Sequence, residues 1–152
     1  MREYLTDAIV LGQEQALSTG RQAGDFDVRL DFYTKDFGRL KAKAKSLRKP
    51  TSKLAGHLEP MTLSKIRLIE KNGFLVADAL TINRFDLLRS SSRSFEEGLR
   101  LLDFFKAVVL DGEPDFNLWQ WLKNSLATGD ISYSKLREIL GGEDFQIERQ
   151  GV

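Results

Sequence analysis

Hydrophobic positions recur every second residue through the first half of the chain and every three to four residues through the second, so the pattern changes from strand to helix period once. Asp7 to Gly12 is an apolar run of strand length, and Ser18 to Gly24 has the small, polar content of a loop. Phe26, Val28, Leu30 and Phe32 then alternate with Asp27, Arg29, Asp31 and Tyr33, which predicts a half-buried strand with Phe32 inward and Tyr33 outward. The turn Lys35-Asp36-Phe37-Gly38 leads antiparallel into a third strand, Arg39 to Lys45, in which basic and apolar residues alternate strictly. Pro50 interrupts regular structure, and Thr51 or Ser52 caps a short helix over Lys53, Leu54 and Ala55 that stops at Gly56. Beyond Pro60 the apolar positions Met61 and Leu63 give way to Ile66 and Leu68, a phase slip that predicts a β-bulge near Ser64 and Lys65. Lys71-Asn72-Gly73 makes a tight hairpin into a fifth strand, Phe74 to Thr81.

After Ile82 the period lengthens. Arg84 to Arg93, with its three serines, reads as a connector, and Ser94 with Glu97 forms a capping box that opens a helix carrying Phe95, Leu99, Leu102, Phe105 and Val109. Asp111-Gly112 and Pro114 end it. Asp115 caps a second helix, stopped by Gly129, and Ser132 caps a third that runs to Gly141-Gly142. Five strands with a short helix between the third and fourth match the order of an OB-fold. The expected fold is therefore α+β: a five-stranded OB-fold β-barrel over residues 1–82, followed by a small α-helical domain over 83–152.

Charge sharpens this picture more than composition does. The formal net charge is only +1, yet Gly38 to Leu58 holds seven basic residues and no acid, and carries +7. Met1 to Phe37 carries −3, Glu59 to Ser94 +2, and Phe95 to Val152 −5. A concentrated positive field attracts polyanions far better than the same charges dispersed. On the third strand Arg39, Lys41, Lys43 and Lys45 share one face and recur about every 6.7 Å, twice the rise per residue. Lysines on a strand also serve as protection against edge-to-edge pairing. That role does not call for Arg48, Lys49 and Lys53, which extend the charge beyond the strand, so nucleic acid or another polyanion is the favoured ligand.

The chain has 152 residues, 41% of them hydrophobic, no cysteine and one histidine. No apolar run reaches the roughly 18 residues of a membrane span, and MREYLTDAIVLGQE lacks a signal-peptide pattern, so a cytoplasmic protein without membrane contact is expected. The missing cysteines exclude disulfides and thiolate metal sites; no cofactor or structural zinc is expected. No nucleophile–base pair or phosphate-binding glycine loop is evident, and the acid pairs Glu96-Glu97 and Glu143-Asp144 read as solvated or capping residues, so the expectation is a protein that is not an enzyme.

Three stretches carry a resemblance: DAIVLG at 7–12, FYTKDFGRLKAKAK at 32–45, and RKPTSKLAGHLEPMT at 48–62. Together they resemble the N-terminal domain of the RecO recombination mediator family, with a match in element order from about Thr6 to Leu140. The resemblance implies an OB-fold with a helical domain, no catalytic site, and a role in recombinational DNA repair. Members of that family bind single- and double-stranded DNA, anneal complementary strands, pair with the RecR protein, engage the acidic tail of single-stranded-DNA-binding protein, and help load the recombinase. Many continue into a cysteine-rich zinc module and further helices. Here the sequence ends eleven residues after Gly141, which reads as either a naturally short member or a truncated product.

Two further groups bear on DNA binding. Tyr33, outward by the alternation, is the candidate base-stacking aromatic. His57 either touches a phosphate or base or makes a structural hydrogen bond, as a lone histidine beside a turn more often does. Trp119 and Trp121 lie two apart on one helix, so Trp119 is placed in the core and Trp121 is partly exposed or belongs to a partner surface. The competing function is an adaptor whose basic surface recognises an acidic peptide tail.

Overall fold

The computed structural model describes residues 1–15 and 27–141. Five strands, β1 (Arg2–Gln15), β2 (Val28–Thr34), β3 (Gly38–Ala44), β4 (Leu63–Glu70) and β5 (Phe74–Asn83), are followed by four helices, α1 (Asp86–Arg89), α2 (Ser92–Val108), α3 (Phe116–Thr128) and α4 (Tyr133–Ile139). The strands close into a barrel in the order β1-β2-β3-β5-β4. All neighbours are antiparallel except β3 and β5, which meet in parallel through the single pair Lys43↔Leu75. This is the OB-fold arrangement expected from the strand order.

Two apolar clusters organise the molecule. One fills the barrel with Ala8, Val10, Leu30, Phe32, Ala42 and Ile66 among its members. The other lies outside the barrel wall, where Ile9, Leu11, Tyr33, Met61 and Leu63 meet Leu102, Phe105, Trp119 and Leu122 of the helices. A bulge in β1 between Val10 and Gly12 marks the place where its outward face passes beneath α2. Close approach there is strict at Gly98 of α2, since an added Cβ would stand 2.5 Å from the Met61 sulfur.

Several local expectations change. β1 is more than twice as long as the apolar run that announced it, because Tyr4 and Thr6 continue the inward alternation of Ala8 toward the N-terminus. The short helix after Pro50 is a 3-10 turn at Ala55–His57, without a side-chain cap, so Gly56 lies inside it instead of ending it. The bulge expected in β4 is absent from that strand, whose pairing with β1 runs unbroken from Arg2↔Glu70 to Ile9↔Leu63. The extra residues belong to β5, where the register with β4 shifts at Leu63/Ser64 and at Arg67/Leu68. The slip in β4 has another cause: Leu63 faces the helices, while Ser64 is buried and donates from Oγ to the His57 carbonyl at 2.6 Å.

In the second half, Asp115 and Ser132 cap α3 and α4 as expected, and Gly129 ends α3 with a φ of 77°. Residues 86–89, expected to be connector, form α1. Its neighbour α2 begins at Ser92 with Ser91 as the cap, ahead of the expected Ser94, and ends at Val108, before Gly112 forms an isolated antiparallel bridge with Arg39. The loop at 18–24, Phe26, Gly142 and the Glu143-Asp144 pair lie outside the described residues.

Candidate nucleic-acid interface

β3 carries its cations because the strand alternates. Leu40, Ala42 and Ala44 are buried in the barrel, which turns Arg39, Lys41 and Lys43 to the outer wall. Their environments then diverge along the strand. Arg39 passes beneath the end of α2, where its Nη1 donates to the carbonyls of Lys106 at 2.6 Å and Val109 at 2.5 Å. Its Nε and Nη2 donate to both carboxylate oxygens of Asp31, at 3.1 and 2.8 Å. The two side chains are only 13% and 14% exposed, and hydrogen bonding to Asp31 raises the Arg39 pKa further. Arg39 therefore satisfies carbonyls left over at a helix C-terminus, where the helix dipole favours a cation. It does not share the open face with the lysines, which corrects the expectation of four equivalent cations.

Tyr33 is corrected too. It points out of the barrel as the alternation requires, but that face is covered by helices, and the residue is 1% exposed. Its ring meets Phe105 edge-on at 5.0 Å and stacks near Trp119 at 6.3 Å. Burial, with a contribution from the Asp115 carboxylate, pushes its phenol up to about 12. No base reaches it in this position.

Past the edge of the helices the wall is open. A groove of about 760 Å3 runs between β3 and the β4–β5 hairpin, lined by Arg29, Lys41, Lys43, Lys45 and Lys71 and holding no acidic residue in its lining. Arg29 enters because it is paired directly with Lys43 across β2 and β3. Lys71 enters because Asn72 and Gly73 both adopt positive φ, 53° and 106°, in the hairpin that turns the chain over the groove. Lys43 also lies 3.6 Å from the buried Asp27, whose Oδ1 accepts from the Ser46 amide at 2.7 Å and so steadies the turn after β3. Among the described residues neither Lys41, Lys45 nor Lys71 has an ion-pair partner. Arg29 is paired with Glu14 at 3.7 Å, with both side chains about half exposed. The β2–β3 face and the β4–β5 hairpin are where OB-folds hold oligonucleotides and oligosaccharides.

The remaining expected residues fall elsewhere. Arg48, Lys49 and Lys53 are exposed on the segment after β3 and do not line the groove. His57 makes the structural contact: its Nδ1 accepts from the Thr81 amide at 3.0 Å and lies 2.6 Å from the Thr81 hydroxyl, tying the 3-10 turn to β5. Trp119 is buried, while Trp121 is half-buried on a second groove between α3 and α4 with Lys135 and Ile139. Sequence reasoning missed Arg29 and Lys71. Both were legible in principle, one as the outward partner of a β3 lysine and the other as a cation on the hairpin that borders an OB-fold groove.

The sequence model described as Recombination protein O N terminal matches residues 1–78. The chain belongs to the RecO family. A DNA repair protein RecO from Pelotomaculum thermopropionicum is 31% identical over 121 residues, which cover 78% of this chain and 44% of that protein. The DNA repair protein RecO of Thermodesulfovibrio yellowstonii is 32% identical over 125 residues, 81% of this chain and 47% of its relative. That of Heliobacterium modesticaldum is 37% identical over 112 residues, 73% and 38% respectively. The chain thus spans under half the length of these RecO relatives. Among the described residues no helix is long and apolar enough to cross a membrane, and no three His, Cys, Asp or Glu residues are grouped to hold a metal ion.

Proposed function

We propose that this RecO-family chain acts in recombinational DNA repair as a binding protein, not a catalyst, and that its DNA site is the groove between β3 and the β4–β5 hairpin. The observation that carries the reading is the concentration of Arg29, Lys41, Lys43, Lys45 and Lys71 around one groove whose lining contains no acid. Phosphates neutralised there release condensed counterions, which supplies affinity without reading sequence. Lys41 and Lys43 project from a strand, so their spacing is regular and the backbone holding them is fixed by the barrel. An extended strand laid along β3 meets several cations in succession.

Family membership supports the finer parts of the proposal: binding of single- and double-stranded DNA, annealing of complementary strands, assistance in recombinase loading, and contact with a RecR-like protein and the acidic tail of single-stranded-DNA-binding protein. The rival reading is an adaptor that takes an acidic peptide into the same groove. Length dependence separates them, because a polyphosphate gains contacts as it grows while a peptide saturates one pocket. Affinity for oligodeoxynucleotides is expected to rise from three nucleotides to a length of some tens. A flat series, alongside tight binding of an acidic peptide, would overturn the DNA reading in favour of the adaptor. Annealing of fluorescent complementary strands, with and without single-stranded-DNA-binding protein, tests the finer activities.

A further inference from the structure

The open wall of β3 ends at Arg39. There the end of α2 lies over the strand: Arg39 is bound to the Lys106 and Val109 carbonyls, Asp111 stands 3.6 Å from its Nε, and a helix C-terminus repels anions. A polyanion that follows Lys45, Lys43 and Lys41 along the strand must therefore turn aside. The open side is a notch of about 80 Å3 that adjoins the groove and shares Arg29 and Lys41 with it. Gly12 and Glu14 of β1, Asp31 of β2 and Lys106 of α2 complete its lining. Register explains the grouping: Lys41 pairs with Asp31 and Asp31 with Gly12, so the three stand in one row across the outer wall. Two interstrand spacings of about 4.8 Å put Gly12 roughly 10 Å from Lys41.

Lys106 reaches this row because Gly12 has no side chain. Gly12 does not have a positive φ, so its backbone does not call for glycine. A Cβ there would stand 2.8 Å from the Lys106 Nζ and 3.7 Å from its Cδ, which shows that the lysine stem lies over the strand. The ammonium is paired with Asp103 at 3.1 Å, but that carboxylate is 75% exposed, and surface pairs of this kind hold a cation weakly. The two acids of the notch are already neutralised: Asp31 has both oxygens on Arg39, and Glu14 pairs with Arg29. We propose that Lys106 is the phosphate contact at which a bound strand leaves β3, so that the helical unit takes part in the DNA site. The inference rests on reading the groove as that site.

The experiment compares wild type, Lys106→Gln, Lys106→Arg and the double variant Lys45→Gln/Lys71→Gln, each confirmed as folded by thermal melting. Lys45 and Lys71 line the groove but not the notch. Fluorescent oligodeoxythymidylate of about 16 nucleotides, the upper end of OB-fold site sizes, is titrated over a range of salt. Each lost phosphate contact flattens the dependence of log affinity on log salt by about 0.7, so Lys106→Gln is expected to flatten it by that amount and the double variant by about 1.4. Lys106→Arg keeps the charge and the wild-type slope; flattening equal to that of Lys106→Gln would overturn the proposal. A purely structural lysine would change the melting temperature and leave the slope alone. If Lys106→Gln keeps the wild-type slope while the double variant flattens it, the contact is wrong and the groove stands. If wild type binds no strand, or the double variant keeps the wild-type slope, the groove reading itself falls and the contact with it. Should Lys106→Gln fail to fold, labelling of wild-type lysines with an acylating reagent decides: protection of Lys106 by the oligonucleotide is expected, and an unchanged labelling rate would overturn the proposal.

Discussion

Arg39 and Lys41 stand two residues apart on one face of β3, and their surroundings assign them opposite roles. Arg39 has four N–H bonds committed to Asp31 and to the end of α2, in a site that excludes most water. Removing one partner of such a pair leaves the other charge and the carbonyls uncompensated. Arg39→Gln is therefore expected to lower stability by roughly 3 kcal/mol. Lys41→Gln should cause no measurable loss, because exposed charges contribute little to folding. Urea denaturation of the two variants checks this, and equal midpoints would contradict the assignment. Tyr33 gives the residue scale a pH signature. Its folded pKa, pushed up to about 12, exceeds the ordinary tyrosine value of about 10 that applies to the unfolded chain. Between those limits the folded state keeps a proton that the unfolded state releases, so stability falls as pH rises from about 10 to about 12, by about 3 kcal/mol across the interval. Below about pH 10 the residue adds no pH dependence. Tyr33→Phe should flatten the alkaline decline in a series of denaturation curves; an unchanged decline would mean that the phenol is not held in this environment. Both residues show where sequence reasoning stops. Alternation assigns a side chain to a face of a strand, but whether that face meets water or a helix is settled by residues some seventy positions away.

At the scale of elements, the caps illustrate the same division. Asp115 and Ser132 each stand alone ahead of a periodic segment, so α3 and α4 were legible. Four serines lie among the residues from Ser90 to Ser94, and several satisfy the chemistry of a helix start. The structure selects Ser91, whose Oγ accepts from the Ser94 amide at 3.1 Å, while Glu97 pairs with Arg93 at 3.5 Å in place of closing a capping box. Ser91→Ala should cost about 1 kcal/mol, as loss of a cap does, and Glu97→Ala much less. The reverse order in thermal melting would restore the box at Ser94. β4 is instructive in the same way. Its apolar positions change sides near Leu63, since Met61 and Leu63 support the helices, the inward position is the buried Ser64, and Ile66 and Leu68 then line the barrel; a one-dimensional pattern cannot distinguish that from a bulge.

For the molecule as a whole, strand order, the change of period and the location of the positive field were all carried by local sequence, because each depends on neighbours along the chain. The groove was not, since it arises where β3 approaches the β4–β5 hairpin and brings Lys71 and Leu75 to Lys43 from some thirty residues away. The same folding divides the seven cations of Gly38 to Leu58 into Arg39 beneath α2, Lys41, Lys43 and Lys45 in the groove, and Arg48, Lys49 and Lys53 on the exposed segment beyond it. That division makes the central claim measurable. Single-strand binding by wild type is compared over a range of salt with Lys41→Gln/Lys43→Gln/Lys45→Gln and with Arg48→Gln/Lys49→Gln/Lys53→Gln. Each phosphate contact contributes a slope of roughly −0.7 for single strands, so the groove variant should flatten the dependence of log affinity on log salt by about two units. The second variant, with the same loss of charge, should keep a slope close to wild type. Equal flattening by the two variants, or none in the groove variant, would contradict the placement of DNA between β3 and the hairpin.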